Sequence, residues 1–129
     1  MNIIDHLSVG VPDITQGCAF YDGVMATLGY VRLAKNERLA AYGDGWPQFV
    51  IITPDDRKTP TAGNGTHVCF VARDPALIDR FHAQALALGG ACAGAPGPRP
   101  DYPKPGVYAA FVRDPFGNKL EAIHNGFAA

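Results

Sequence analysis

At 129 residues, 47% of them hydrophobic and 18% charged, the chain suits one domain with a buried interior. A formal net charge of -1 offers no field to gather nucleic acid or an anionic membrane, and no apolar run nears the roughly 20 residues of a spanning helix. That leaves a small molecule as the expected partner. Three cysteines with no C-x-x-C spacing argue against a disulfide framework or a four-cysteine zinc site. They favour a reducing, cytoplasmic setting, with Cys18, Cys69 and Cys92 as buried thiols. The opening Met-Asn-Ile-Ile-Asp-His lacks the basic region and long apolar run of an export signal.

Residues 3–11 pattern as a strand, which Pro12 breaks. Asp13 is placed to cap a helix, because its carboxylate can accept from the free amides of the first turn. Ile14, Cys18, Tyr21, Val24, Met25 and Leu28 recur at spacings of three and four and form one apolar stripe. Gly29 follows as the left-handed residue that ends such a helix. Three strands are predicted next, over 30–35, 38–43 and 48–53, with Gly43 to Pro47 as the last turn. Pro54 to Asn64 is polar and rich in Pro and Gly, as a linker would be.

The pattern then starts again. A strand is predicted over 65–72, Asp74-Pro75 supplies a cap with Pro at the first helical position, and Leu77, Ile78, Phe81, Ala85 and Leu88 mark a helix over 76–88. Gly89-Gly90 ends it. Residues 91–95 read as a short strand and the five prolines of 94–106 as an irregular loop. A hairpin closes the chain: strands over 107–112 and 119–123 flank the tight turn Asp114-Pro115-Phe116-Gly117-Asn118.

An offset of 61 aligns His6 with His67, Asp13 with Asp74, Phe20 with Phe81 and Gly29 with Gly90. Further on, Ala40-Ala41-Tyr42 parallels Ala109-Ala110-Phe111 at an offset of 69, so the second copy carries the longer loop. The expected fold is α+β: two βαβββ modules in one domain, module 1 over about 1–54, a linker over 55–64 and module 2 over about 65–129, forming a partly closed, barrel-like cleft.

Strand alternation then assigns faces. If Leu7, Val9 and Val11 meet the first helix, His6 and Ser8 face the cleft. If Val68, Phe70 and Ala72 meet the second, His67 and Cys69 face it, and Leu120 and Ala122 likewise turn Glu121 inward. A single strand His or Glu is ordinarily structural or solvated. Two imidazoles and one carboxylate converging from three strands are instead a ligand set for a divalent ion with open positions, whether Fe, Mn, Ni or Zn. Trp46, Arg99, Tyr102, Lys104 and Tyr108 are the candidates for substrate contact. His82 and His124 read as surface residues, and no side chain is identifiable as the catalytic base.

The repeat, the set His6, His67 and Glu121, and the run Arg113-Asp-Pro-Phe-Gly-Asn-Lys-Leu-Glu-Ala-Ile123 together resemble the vicinal oxygen chelate superfamily, the glyoxalase, bleomycin-resistance and extradiol-dioxygenase relatives. The resemblance spans essentially the whole chain. It implies paired βαβββ modules, a divalent metal in the cleft held by His6, His67 and Glu121, and a homodimer. It does not imply one reaction, since relatives isomerise or lyse glutathione hemithioacetals, cleave catechols, epimerise, add thiols to fosfomycin or sequester drugs. Glyoxalase I-like members carry an acid on the last strand of the first module, where this chain has Val50 or Ile51, depending on the gap. The expected function is therefore metal-dependent lyase, dioxygenase or thiol-transferase chemistry on vicinal oxygens rather than glyoxalase I activity. The alternative is a metal-free binding protein using Trp46, Phe49 and the tyrosines.

Overall fold

A computed structural model describes residues 3–128. The first module contains β1 (Leu7–Gly10), α1 (Ile14–Thr27), β2 (Val31–Lys35), β3 (Leu39–Gly43) and β4 (Phe49–Ile52). The second contains β5 (Val68–Val71), α2 (Pro75–Ala87), β6 (Ala91–Pro98), β7 (Tyr108–Arg113) and β8 (Lys119–His124). Each forms a four-stranded sheet, ordered β1-β4-β3-β2 and β5-β8-β7-β6. In each, the first strand runs parallel to the last and the other pairs are antiparallel.

The predicted capping is present in both copies. Asp13 and Asp74 sit in extended backbone, and their carboxylates accept from the main-chain N–H groups of Gln16 at 2.8 Å and Leu77 at 3.3 Å. β1 and β5, and likewise α1 and α2, begin 61 positions apart. The helix ends differ, because α2 is one residue shorter. Gly29, with φ +85°, is matched by Gly89, with φ +94°, and not by Gly90. Gly90 serves close packing instead: a Cβ there would lie 2.6 Å from the carbonyl oxygen of Arg113.

Both helix-covered sheet faces contribute to one core. Tyr21, Val24 and Met25 of α1 and Ile78, Phe81 and Ala85 of α2 are buried in it with Ile51, Phe70, Leu120 and Ala122 of the strands. Phe49 and Phe70 meet edge to face across the module boundary at 4.9 Å. Burial of each such large side chain contributes about 1.5–3 kcal/mol, so the modules are held together by a shared interior. The opposite faces, which carry Ser8 and Glu121, lie outside that core. The two sheets do not close into a barrel within one chain, and the cleft between the modules, about 280 Å³, opens where Tyr30, Trp46 and Phe49 meet Cys69 and Val71.

Several local expectations are corrected. β1 starts at Leu7, later than the apolar pattern indicated. β6 runs eight residues through Pro98, into the stretch read as loop. As the outer strand of its sheet it can include Pro96 and Pro98, whose missing N–H groups would break an inner ladder, and its register shifts twice. Cys18 is buried, but Cys69 and Cys92 are exposed because both lie on sheet-edge strands. His82 and His124 are half-buried rather than on the surface. The Nε2 of His82 is enclosed without a partner, and Nδ1 of His124 lies 3.3 Å from the carbonyl oxygen of Ala72.

Candidate metal centre

Strand register maps the uncovered face of the second sheet in rows. Gly94, Phe111, Glu121 and Cys69 stand side by side on β6, β7, β8 and β5. Arg113 and Lys119 form the row above, beside His67, which immediately precedes β5. Ala109, Ile123 and Val71 form the row below. Tyr102, from the Pro-rich loop, packs on Val107, Ala109 and Ile123 and so covers the lower row.

Glu121 is the buried acid of this face, only 2% exposed. Its Oε1 lies 3.1 Å from Nε2 of His67, and its Oε2 accepts the phenol hydrogen of Tyr102 at 2.5 Å. The Cys69 thiol is pushed well up by desolvation, then by the adjacent Glu121 carboxylate and a hydrogen bond to it. Desolvation and the same carboxylate also raise the Tyr102 phenol. Both groups therefore stay protonated at neutral pH and can donate to Glu121.

The loop bearing Tyr102 is tied down at several points. Lys104 Nζ donates to the carbonyl of Gly126 at 2.6 Å, Asn125 Nδ2 to that of Pro105 at 3.1 Å, and Tyr102 stacks on Phe127 with ring centroids 5.9 Å apart. Arg99 donates to the carbonyls of Ala95, Gly97 and Pro98. Tyr108 points to the helix side and donates to Asp79 of α2 at 2.6 Å, away from Glu121. Trp46 lines the cleft between the modules.

Of the three expected ligands, one chain brings His67 and Glu121 together. His6 is elsewhere, its side chain 60% exposed and its Nδ1 2.6 Å from Asp5. Among the described residues no group of three His, Cys, Asp or Glu side chains could hold a metal. Two adjacent ligands of one ion, each at about 2.1 Å, stand about 3 Å apart. The His67–Glu121 separation fits that spacing, so the described residues offer two donors there and no third. Register also settles the position across the repeat: Ser8 pairs with Val50 as Cys69 pairs with Glu121, so Val50 is the counterpart of Glu121, while Ile51 is core.

Sequence reasoning missed Phe111 and Lys119. Both share a face with Glu121 by strand alternation, and Phe111 is its direct cross-strand partner. The signal was the period of two along β7 and β8.

Two βαβββ modules, each with one helix-covered face, and a buried carboxylate beside a histidine define a protein of the vicinal oxygen chelate class. The model of the Glyoxalase/Bleomycin resistance protein/Dioxygenase superfamily matches residues 3–122, and the chain belongs to that superfamily. A glyoxalase/bleomycin resistance protein from Albidiferax ferrireducens T118 is 35% identical, with a TM-score of 0.86 over 97% of this chain and 100% of that one. A glyoxalase/bleomycin resistance protein/dioxygenase family enzyme from Burkholderia phytofirmans PsJN shares the fold at 17% identity, with a TM-score of 0.71 over 92% and 95% of the two chains. So does a lactoylglutathione lyase from Agrobacterium tumefaciens, at 22% identity and a TM-score of 0.64 over 96% and 93%. No curated protein matches the sequence closely enough to lend it an activity. No helix among the described residues is long and apolar enough to cross a membrane.

Proposed function

We propose that the protein is a divalent-metal-dependent enzyme acting on a small substrate with vicinal oxygens, and that it works as a homodimer. His67 and Glu121 of one chain and His6 of another would hold the ion. The observation that carries this reading is the buried Glu121 carboxylate 3.1 Å from His67, on the sheet face that no helix covers. Burying an acid against an imidazole stabilises little by itself, and the pairing is better explained as half of a ligand set. The ion, when bound, supplies Lewis acidity to the substrate oxygens. His67 and Glu121 supply donors from adjacent strands, and Tyr102 fixes the second carboxylate oxygen so that Oε1 faces His67. The apolar Val50 leaves the first module without a carboxylate opposite Glu121. Shuttling a proton between neighbouring carbons needs a base within about 3 Å of it, so lyase, dioxygenase or thiol-transfer chemistry is favoured over glyoxalase I activity.

Elemental analysis of protein purified without chelator tests this. The expected result is stoichiometric metal in the native chain and none in His67→Ala. Absence of metal from both overturns the proposal. A second reading, a metal-free binder of planar molecules, rests on Trp46, 40% exposed over a cleft shared with Tyr30 and Phe49. It predicts quenching of Trp46 fluorescence by aromatic ligands in metal-free protein. A panel of methylglyoxal with glutathione, catechols with Fe(II), and fosfomycin with thiols then separates the reactions.

A further inference from the structure

On the open face of the second sheet, Phe111 is flanked by two cations. Lys119 Nζ lies 5.1 Å and the Arg99 guanidinium carbon 5.7 Å from its ring centroid, and His67 packs on the same ring at 6.0 Å. One cation suffices for the modest attraction of an aromatic face. A second on the same ring adds positive charge to this face, which a bound anion would offset. Neither cation has an acidic partner among the described residues. The Arg99 bonds go to carbonyl oxygens, which anchor the guanidinium and leave its charge uncompensated. The acid of this face, Glu121, already has His67 and Tyr102 on its two oxygens.

We propose that Lys119 and Arg99, placed about Phe111, form an oxyanion subsite, so that the substrate carries a carboxylate, phosphonate or phosphate beside its chelating oxygens. The second half of that statement rests on the metal reading. The subsite itself does not. Lys119 stands next to His67 in the sheet, one strand away, and neighbouring strands are about 4.8 Å apart. An anionic group held there lies beside the His67–Glu121 pair, at a distance that one small molecule spans. Arg99, fixed by its carbonyl bonds, supplies a preorganised charge, and Lys119 supplies a mobile donor that can close on the anion.

Chelator-treated full-length protein should be titrated with inorganic phosphate and with methylphosphonate at constant ionic strength, against dimethyl sulfone as a neutral control. NMR signals of the Phe111 ring and the Lys119 side chain are the readout. Both oxyanions should give saturable shifts and the neutral control none. Lys119→Gln should weaken phosphate binding about tenfold, the loss of one charge-assisted hydrogen bond. Lys119→Arg should retain it, and Glu121→Gln should tighten it by removing a like charge. Shifts that do not saturate, equal shifts from the neutral control, or unchanged binding in a folded Lys119→Gln variant would overturn the subsite. Phosphate saturation in a protein that never retains metal leaves the subsite standing while the metal reading fails. Full metal occupancy without phosphate saturation does the reverse.

Discussion

Tyr21 donates its phenol hydrogen to Oδ2 of Asp114 at 2.5 Å and so joins α1 of the first module to the β7–β8 turn of the second. Asp114, 3% exposed, also accepts from the main-chain N–H groups of Phe116 and Asn118 and from Nδ2 of Asn118. Asn118 Nδ2 donates in addition to the carbonyl of Gly10 at 2.9 Å. The Asp-Pro-Phe-Gly-Asn run is therefore both a turn and the polar seam between the modules.

Tyr21→Phe should lower stability by about 1–3 kcal/mol, the loss of one hydrogen bond to a buried carboxylate whose Oδ2 keeps Asn118 as its other donor. Asp114→Ala should cost more, since it strands donors from Tyr21, Phe116 and Asn118 together. Urea unfolding checks both. Metal content should not change in Tyr21→Phe, because Tyr21 lies in the shared core and not on the Glu121 face.

All five tyrosines, Tyr21, Tyr30, Tyr42, Tyr102 and Tyr108, are held above the ordinary phenol range. Desolvation is the leading cause at Tyr21, Tyr30, Tyr42 and Tyr102, and the hydrogen bond to Asp79 at Tyr108. A phenol whose folded value is raised binds its proton more tightly in the folded chain. Its contribution to stability is complete below the unfolded value of about 10 and is lost as the pH climbs beyond it. Absorbance at 295 nm should stay flat through pH 10 and then rise together with loss of the far-ultraviolet circular dichroism signal. Stepwise ionisation near pH 10 in folded protein would contradict this.

Cys69 is exposed by area, yet its thiol is raised by desolvation and by Glu121. Only the thiolate reacts with alkylating reagents. Iodoacetamide at pH 8 should therefore modify Cys69 slowly in the native chain and faster in Glu121→Gln, with peptide mass spectrometry following the site. Equal rates would mean that the carboxylate does not act on the thiol.

Much of the architecture was legible because local rules and the repeat agreed. Asp13 and Asp74 announced the helix starts, and the alternation of Leu120, Glu121 and Ala122 set the faces of β8 correctly. The matched His6 and His67 led to one expected cleft, but alternation fixes only a side chain's face, not which sheet lies opposite. Here the shared helix core settles that, and it leaves His6 apart from Glu121 within one chain. The extension of β6 through Pro98 was hidden because its prolines suggested a loop, and an outer strand tolerates them. Arg99 and Tyr108 were singled out by their place near the Pro-rich loop. Their partners, carbonyls of β6 and Asp79 of α2, depend on contacts between elements that no pattern along the chain reveals.

The central claim is that one ion is shared by His6 of one subunit and His67 and Glu121 of another. Its most direct test is the metal content of hybrid dimers prepared from differently tagged His6→Ala and Glu121→Gln chains. Each variant alone should bind no metal. The hybrid should bind one ion per dimer, because one of its two sites then combines an unaltered His6 with an unaltered Glu121. A hybrid that stays metal-free while the native dimer binds two ions would contradict the shared site.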